Sequence, residues 1–573
     1  MFHTLIVFLS LPDLMSLSEL TYNQDFGNRV SSLVIDRYNK LPKTGKPNVN
    51  EYQWTLISGI CLEEEDGRLS VVALATGTKC LGVNSYSVRG DVLHDSHAEV
   101  LTRRAWLRYL YSQMNLTLSG QPSRIFDQIN DTGSVSSNST TCSTHAAKLT
   151  SSEPADSTSK SGNRLKFRLK PGIKFHFYTS HTPCGDASIF PRKIKQKCLE
   201  KLQNQSKRLK LEKSMVKKTK DSDHSERVKD NLESTLVQSH QSENIDGSLF
   251  TSEHDCEVPA KKRKSNSEVP SKKFKPAASE VGLKDFLAKA LVEHARTPGS
   301  EETEEVETSS DEDETQNEEM GKLVEDFHRT GAKNLPEASH QDPRGVGGPP
   351  YQHTGVVRTK PGRGDPTYSV SCSDKIAKWS VVGWEGGLIS SLLLSPIQMS
   401  TIIVGGGVPF SHQALQRALH SRVANCILTP TPTLLHAQVE FPAGRRNMKR
   451  VMKKFGCPVS LARPAGGSVV WCDVDYKPLE VSIDGIRQGV SRKKHNLNNI
   501  NSTLLVSSYK MLLQYIQLTK QEHYVNVPYA KIKQTSASEY LARMSKCKQA
   551  LGRWLDVPEQ FRQFCVQDIN EKL

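Results

Sequence analysis

The sequence lacks the features that mark secreted, disulfide-bonded and membrane-spanning proteins. Its twelve cysteines are spaced irregularly over 573 residues and include no CxxC pair, which indicates a reducing, intracellular setting. The apolar stretch at residues 2–11 is too short to span a bilayer, and it has neither a basic region before it nor a small-residue cleavage site after it. We therefore interpret residues 1–15 as an N-terminal extension, with Met15 as an alternative start, and expect no membrane association.

Apolar residues are also scarce. Hydrophobic residues make up 36% of the sequence and the mean hydropathy is −0.51, so much of the chain cannot bury a core. Positive charge predominates, with a net charge of +14, and a nucleic acid is the leading partner for this balance, although a solvated basic surface has the same composition. The KKRK run at residues 261–264 is either a nuclear localisation signal or a solvated basic segment, so we expect a nuclear or cytoplasmic protein.

No internal repeat is found, and the chain divides by composition instead. We predict ordered blocks at residues 16–195 and 346–573. A polar insertion rich in Ser and Thr is predicted at residues 117–163, inside the first block. A long, disordered, charged insertion is predicted at residues 196–345, where basic runs precede an acidic run at residues 301–319 that has eleven carboxylates and no base.

Within the two blocks, short apolar strands alternate with helical patterns. Strands are predicted at residues 70–76, 174–180 and 467–474, and helices at residues 97–114, 412–422, 502–517 and 536–554. This alternation is typical of an α/β layered domain. The metal ligands argued next lie on both sides of the long insertion, so we predict a single domain over residues 16–573 that the insertions interrupt.

Three short segments carry residues suited to metal chemistry: 95–99 (DSHAE), 182–186 (TPCGD) and 371–375 (SCSDK). Deamination of a nucleobase needs a water molecule that is nucleophilic near neutral pH, and a zinc ion with three protein ligands and one open position provides it. His97 and Glu99, followed by Pro183 and Cys184, match the H-x-E and P-C halves of the zinc-deaminase signature. Position 187 is alanine, so the compact motif lacks its second cysteine, and Cys372 is the best third ligand. Glu99 would then move protons without binding the metal.

Each of these residues also has a structural explanation. Residues 96–99 have the S-x-x-E spacing of a capping box, so Glu99 could simply cap a helix. Cys184 and Cys372 could be buried thiols, since a free cysteine packs like a small hydrophobic residue. The metal hypothesis is favoured because the segments occur together, with Pro183 before Cys184 and a strand-to-helix context around them.

Longer segments around these residues resemble the adenosine deaminases that act on RNA. The matching segments span both ordered blocks: 76–80 (TGTKC), 95–104 (DSHAEVLTRR), 183–188 (PCGDAS), 371–383 (SCSDKIAKWSVVG) and 550–554 (ALGRW). Within that family the resemblance is to the members that convert adenosine 37 of alanine tRNA to inosine. It implies a cytidine-deaminase-like, three-layer α/β core, zinc on His97, Cys184 and Cys372, and Glu99 as the proton shuttle. Adenine rather than cytosine follows from the resemblance alone, because the zinc motif serves both bases.

The resemblance further implies a buried inositol hexakisphosphate, whose six phosphates would require many fixed cations and donors. One group of residues assigned to it follows the metal ligands in sequence: Arg103, Arg104, Lys375, Lys378 and Trp379. A second group lies in the C-terminal block: Lys510, Tyr529, Lys533, Tyr540 and Trp554. Lys378 stands where relatives often have arginine, and Glu385 where some have glutamine. Any one of these residues, taken alone, would also fit a solvated basic face.

Thr78, Lys79 and Arg363 resemble residues that contact the substrate nucleotide. A turn at Gly77 explains Thr78 and Lys79 equally well. Residues 360–364 (KPGRG) match a loop that approaches the flipped base, and relatives that edit duplex RNA carry glutamate in its middle, where this chain has Arg363. A base in an anticodon loop is largely unpaired already, so flipping it costs less and leaves no orphan partner.

These residues favour zinc-dependent hydrolytic deamination of adenosine to inosine in tRNA, with position 37 of alanine tRNA as the expected site. Editing of duplex RNA or pre-mRNA is the first alternative. Arg363 disfavours it, as do the roughly 50 residues before the first core strands, which are too few for a double-stranded RNA-binding domain. The second alternative is an inactive RNA-binding protein with a deaminase fold, which would have lost Glu99 or a zinc ligand. No obligate protein partner is expected.

Overall fold

The structure, a computed structural model, describes residues 17–129, 165–190, 323–325, 331–335, 351–361, 364–490 and 502–567. All of these belong to one compact unit formed by residues 1–191 and 278–573, and a second unit, residues 192–277, contains none of them. The predicted N-terminal extension, the KKRK run and Arg363 therefore lie outside the described residues.

Nine α-helices occur in the described part of the chain: α1 (Leu17–Lys40), α2 (Ala98–Leu118), α3 (Cys372–Val382), α4 (Gly386–Ser390), α5 (His412–Leu419), α6 (Arg445–Lys454), α7 (Ser508–Thr519), α8 (Tyr529–Ser536) and α9 (Ser538–Ala550). Ser371, Ser411 and Ser507 begin α3, α5 and α7 as N-caps, because each side chain accepts a hydrogen bond from a backbone N–H in the first turn. None of the described helices is both long and apolar enough to cross a membrane.

The strands of the described residues, in chain order, are β1 (Gln53–Trp54), β2 (Ile57–Glu63), β3 (Leu69–Thr76), β4 (Thr78–Cys80), β5 (Asp95–His97), β6 (Phe126–Ile129), β7 (Lys166–Leu169), β8 (Lys174–Thr179), β9 (Leu323–Glu325), β10 (Lys333–Asn334), β11 (Tyr351–His353), β12 (Arg358–Thr359), β13 (Thr401–Val404), β14 (Thr433–His436), β15 (Arg463–Pro464), β16 (Gly467–Cys472), β17 (Leu479–Ile483) and β18 (Ile486–Arg487). Eight of them form one mixed sheet in the order β14-β13-β8-β2-β3-β16-β17-β18.

The directions of these strands bring the carboxyl ends of four strands to one edge of the sheet. Strands β14, β13 and β8 are parallel neighbours. Strand β2 is antiparallel to both β8 and β3, so β3 runs in the same direction as the parallel set. The carboxyl ends of β3, β8, β13 and β14 therefore lie at one edge, which we call the carboxyl edge.

Both faces of the sheet are covered by helices. Phe175 and Phe177 of β8 join a hydrophobic cluster with Trp106 of α2, whereas Tyr178 joins a second cluster with Val34 of α1. Successive strand residues point to opposite faces, so the alternation places the two clusters on the two sides of the sheet. Burying each such side chain contributes about 1.5–3 kcal/mol. The mixed α/β class predicted from the sequence is confirmed.

The predicted elements are present, with ends that differ by a few residues. The largest difference is at the helix predicted for residues 502–517, which begins six residues later, because Ser507 caps α7. The helix predicted for residues 536–554 ends at Ala550, two residues before Gly552, whose φ of +72° cannot continue a helix.

Both predicted insertions have ends that belong to the fold. Residues 117–129, assigned to the polar insertion, complete α2 and form β6, because Ile125 and Phe126 are buried apolar residues within a polar stretch. Residues 331–335, assigned to the disordered insertion, form β10, which pairs with β12, and β9 pairs with β11. The remainder of each predicted insertion lies outside the described residues.

Candidate active site

Three side chains from distant parts of the sequence converge beyond the carboxyl edge. The ring nitrogens of His97 and the Sγ atoms of Cys184 and Cys372 provide ligand atoms that all lie within 4.8 Å of one another. His97 Nδ1 is 3.5 Å from Cys372 Sγ, and the backbone N–H of Cys372 donates to Cys184 Sγ over 3.3 Å. Tetrahedral zinc separates nitrogen and sulfur ligands by about 3.5–3.8 Å, given its usual bond lengths. The three residues therefore have the size and the chemistry of a zinc site.

Two glycines allow the close approaches that position these ligands. Gly77, directly after β3, has φ +151°, and a side chain there would meet the Ser96 carbonyl oxygen at 2.0 Å. Strands β4 and β5 can consequently pair at this point, which places His97 opposite Thr78. Gly185 has φ +103°, and a side chain there would lie 2.1 Å from Ser371 Oγ. Its absence lets the segment that carries Cys184 pack against the start of α3.

Glu99 lies in the first turn of α2, close to the ligands. Its side chain is 4% exposed, and its Oε2 atom has no hydrogen-bond partner among the described residues. The capping-box explanation is wrong, because His97 is the N-cap of α2 and Ser96 belongs to β5. A buried carboxylate oxygen without a partner is costly, so this atom fits a role toward a water molecule or substrate at the site.

The two thiols form a coupled pair. Burial raises the pKa of Cys372 far above its usual value, and the neighbouring Cys184 and Glu99 add to that shift. The pKa of Cys184 is lowered, first because its sulfur accepts a hydrogen bond from the Cys372 thiol. The pair therefore keeps one proton beyond the pH at which a free thiol ionises. A metal ion would replace that proton, because the thiolate is the metal-binding form.

A chain of ionic contacts that no sequence pattern indicates connects Cys372 through Lys360 and Asp95 to Lys375. Lys360 has no exposed surface, and its Nζ lies 3.1 Å from Cys372 Sγ and 2.9 Å from Asp95 Oδ2. Lys375 contacts the same Asp95 oxygen, and Ser369 Oγ donates to it over 2.5 Å. Burial acts to raise the pKa of Asp95, but the two lysines outweigh it and hold that pKa well below its usual value. Burial acts to lower the pKa of Lys360, but Asp95 in turn raises that pKa well above its usual value, so this buried pair stays charged.

Two further buried ion pairs hold the segments that carry the cysteine ligands. Asp186 lies two residues after Cys184 and accepts from Arg417 Nε over 3.1 Å. Asp374 lies two residues after Cys372 and forms a salt bridge of 2.8 Å with Arg422. Both carboxylates are fully buried. Breaking a buried pair typically costs about 3–5 kcal/mol, so these contacts fix the ligand segments firmly.

A cavity of about 500 Å³ adjoins the site, beside α2, α3 and the C-terminal helices. It brings together nine of the ten residues that the resemblance assigns to inositol hexakisphosphate: Arg103, Arg104, Lys375, Lys378, Trp379, Tyr529, Lys533, Tyr540 and Trp554. The tenth, Lys510, is fully buried on α7 and is not one of the lining residues. Lys375 lines the cavity and also contacts Asp95, so it joins the cavity to the ionic chain.

Cationic groups outnumber anionic ones in the cavity wall. The lining cations are Arg103, Arg104, Lys375, Lys378, Lys533, Lys548 and Arg562, and the lining carboxylates are Asp95, Glu385 and Asp556. Burial lowers the pKa of Lys378 to about 7, with repulsion from Arg103 and Lys375 as further causes. Burial raises the pKa of Glu385 to about 7. The Nε of Arg103 is buried and has no hydrogen-bond partner among the described residues. Such a wall fits a polyanion.

Of the three residues predicted to contact the substrate, the structure describes Thr78 and Lys79 but not Arg363. Thr78 and Lys79 lie on β4 rather than in a simple turn, and they pair with His97 and Ser96 of β5. Thr78 is half-buried and Lys79 is exposed, and their strand pairs directly with the strand that carries His97. Arg363 lies outside the described residues, although Lys360, at the start of the same segment, is buried beside Cys372.

Comparison with known proteins defines the class to which this fold and site belong. The chain belongs to the family of adenosine-deaminase (editase) domains, whose model matches residues 73–145 and 144–558. The matched residues include His97, Glu99, Cys184 and Cys372.

Three individual proteins are similar to this chain over different shares of its length. The chain is 28% identical to tRNA-specific adenosine deaminase 1 of Homo sapiens over 568 residues, which cover 94% of this chain and 99% of that protein. It is 25% identical to the Drosophila melanogaster protein of the same name over 494 residues, 86% of this chain and 82% of the relative. Similarity to double-stranded RNA-specific editase B2 of Mus musculus is 32% but extends over 172 residues, 29% of this chain and 18% of that protein.

Proposed function

We propose that this protein converts adenosine to inosine in tRNA by hydrolytic deamination. One observation carries the proposal: His97, Cys184 and Cys372 converge beside Glu99, whose Oε2 has no hydrogen-bond partner in the part of the chain that the structure describes. The chain around this centre is similar to tRNA-specific adenosine deaminases over 94% of its length. We also propose that the sheet and the helices on its two faces form a three-layer core of the cytidine-deaminase type.

Zinc is the metal we propose for this centre, where His97, Cys184 and Cys372 would hold it. When bound, zinc lowers the pKa of a water molecule so that it becomes nucleophilic near neutral pH. Glu99 takes the proton of the attacking water and returns a proton to the leaving amine at C6 of adenine. Glu99 is buried and no described residue hydrogen-bonds to its Oε2, so this carboxylate is available for both transfers.

Inositol hexakisphosphate is the ligand we propose for the cavity. The volume of about 500 Å³ suits a small ligand, and the excess of cations suits one with many negative charges. Its phosphates would supply a partner for the Arg103 Nε, which no described residue provides, and would favour the charged form of Lys378. Lys510 is left out of the contact set, because it does not line the cavity.

Adenosine 37 of alanine tRNA is the substrate position we propose. The test is to incubate zinc-loaded protein with alanine tRNA transcript and to map inosine by sequencing. We expect inosine at position 37 and no inosine when Glu99→Ala replaces the wild-type protein. Zinc-loaded protein that leaves position 37 unchanged would contradict the proposal.

A long perfect RNA duplex is the matched control substrate. The similarity to a duplex-editing relative covers 29% of this chain, so we expect slow or no conversion of the duplex. Conversion of the duplex as fast as tRNA would instead favour editing of duplex RNA or pre-mRNA.

We also propose that residues 261–264 direct import into the nucleus. The test is to replace this KKRK run by alanine in a fluorescent fusion, which should then lose its nuclear localisation.

A further inference from the structure

Helix α6 carries a strongly basic surface. Its apolar residues Met448, Val451 and Met452 are buried against the domain. Of the seven other residues, all except Asn447 are basic and none is acidic: Arg445, Arg446, Lys449, Arg450, Lys453 and Lys454. Lys449 is half-buried and the other five are exposed. We call these six residues the α6 basic face.

The charges of the α6 basic face are only partly compensated. Glu440 pairs with Arg450 over 3.2 Å and with Arg446 over 4.0 Å. Within the described ranges, no carboxylate lies within 4 Å of Lys449, Lys453 or Lys454. The basic residues repeat at i,i+4 spacing, which destabilises an isolated helix. Arginines in the first turn also oppose the helix dipole. An ordinary solvated helix face mixes charges of both signs, so this arrangement favours a polyanionic partner.

The position of α6 connects it to the candidate active site. The helix follows β14, whose carboxyl end lies at the same edge as that of β8, before Cys184. Hydrogen bonds link the segments between them, since Thr182 Oγ1 donates to the Pro409 carbonyl over 2.6 Å and the Gly406 N–H donates to the Val439 carbonyl over 2.9 Å. Strands β8 and β14 are two strand spacings apart, about 10 Å. Helix α6 itself packs against β1, which leads into β2, and β2 begins at the carboxyl edge because it is antiparallel to β8. The α6 basic face therefore lies on the side of the domain that includes this edge.

We infer that the α6 basic face binds the phosphate backbone of the RNA substrate while the target base occupies the site. The inference rests on the proposed function, because it assumes that a nucleotide of a longer RNA enters at the carboxyl edge. The phosphates on either side of that nucleotide then pass along this edge, within reach of long lysine and arginine side chains. Such contacts position the RNA and carry no sequence information, so they supply affinity rather than choice of base.

The test compares two triple variants that remove the same charge from opposite edges of the sheet. One is Lys449→Gln, Lys453→Gln, Lys454→Gln, which removes the lysines of the α6 basic face. The matched control is Arg68→Gln, Arg168→Gln, Lys174→Gln, whose residues are exposed near the turns at the other ends of β3 and β8. Binding of alanine tRNA is measured over a range of salt concentrations in full-length protein carrying Glu99→Ala, so that no reaction intervenes. Thermal unfolding of each variant confirms that it is folded.

We expect the α6 variant to bind tRNA at least roughly 10-fold more weakly at low salt. The magnitude of the slope of log affinity against log salt should fall by about 2–3, because each lost phosphate contact removes a little under one unit. The control variant should change the slope by less than about one unit. With Glu99 restored, the α6 variant should keep its kcat at saturating tRNA.

Three results would overturn the inference. The α6 variant could retain wild-type affinity and slope, or both variants could lose affinity equally, which would indicate the overall charge rather than this face. Alternatively, the α6 variant could lose binding to vesicles of equimolar phosphatidylserine and phosphatidylcholine while its tRNA binding is unchanged. Wild-type protein that binds tRNA with the expected salt slope but forms no inosine would contradict the proposed function and leave the inference about α6 supported by binding.

Discussion

The candidate metal centre and the adjoining cavity balance charge in opposite ways. At the centre, Asp95 lies between Lys360 and Lys375, so the buried charges compensate one another within the protein. In the cavity, the buried Nε of Arg103 has no partner in the described residues, and the pKa of Lys378 is lowered to about 7. The charges at the centre are thus compensated by the chain itself, whereas those of the cavity are not, and this difference is the reason for proposing an anionic ligand there.

The largest expected effect is the loss of the metal centre. Cys372→Ala removes a thiolate ligand from a three-residue site, so bound zinc should fall from one per chain to almost none, and inosine formation should fall to background. Metal analysis of the purified protein and a single-turnover assay measure both. Cys426→Ala, which removes a half-buried thiol outside the site, is the control and should keep zinc and activity. A Cys372→Ala protein with a full zinc content would exclude Cys372 as a ligand.

Glu99→Gln should separate chemistry from metal binding at the same centre. Loss of general acid–base catalysis typically lowers the rate about 10²–10⁴-fold. The zinc content should stay at the wild-type value, because Glu99 is not among the ligands. A variant within about tenfold of the wild-type rate would show that another group moves the proton.

Lys360→Met should destabilise the protein, because it removes one of the two lysines that compensate the buried charge of Asp95. Asp95 would keep Lys375 but lose a fully buried partner, and removing one member of a buried pair costs about 3–5 kcal/mol of unfolding free energy. Urea unfolding measures the change. Lys174→Met is the control: its ion pair with Glu63 has a lysine that is 54% exposed, so it should cost about 0–1 kcal/mol. Equal effects of the two variants would show that Asp95 does not depend on Lys360.

The double variant Arg103→Met, Lys378→Met should weaken ligand binding in the cavity and leave zinc binding unchanged. It should release inositol hexakisphosphate, detected by mass spectrometry of the denatured protein, while zinc remains bound. Because a ligand at 100 times its Kd stabilises the folded state by about 2.7 kcal/mol, the wild-type protein should lose a similar amount when the ligand is stripped. Wild-type protein that contains no inositol phosphate and gains no stability from added ligand would contradict this proposal.

The smallest effect is a pH dependence that should appear in ligand-free protein. The pKa of Lys378 is about 7 in the folded state and 10.5 in the ordinary, solvated state. Between these values the unfolded chain binds more protons than the folded one, so the contribution of Lys378 makes stability rise with pH. Urea unfolding at several pH values in this window measures the slope. Lys378→Met should remove this contribution, and bound polyanion should reduce it by keeping Lys378 charged.

The parts of the site that sequence could predict are those where chemistry demands particular residue types at short spacing. His97 and Glu99 are two residues apart, and Pro183 precedes Cys184, so the pattern is visible without a fold. Lys360 and Asp95 could not be found in this way, because they are separated by 265 positions and neither residue type indicates its partner. Only their burial in one contact shows that they act together.

The sequence alone determined the chemistry available to this protein: one imidazole, two thiolates, one carboxylate and an excess of positive charge. The tertiary structure decided where each group acts. Strand directions bring the ends of β3 and β8 to one edge, and Gly77 and Gly185 let β5 and α3 approach that edge closely enough for His97, Cys184 and Cys372 to meet. The physical reason is that residue types are local properties of the chain, whereas the distances between them depend on the packing of elements that are far apart in sequence.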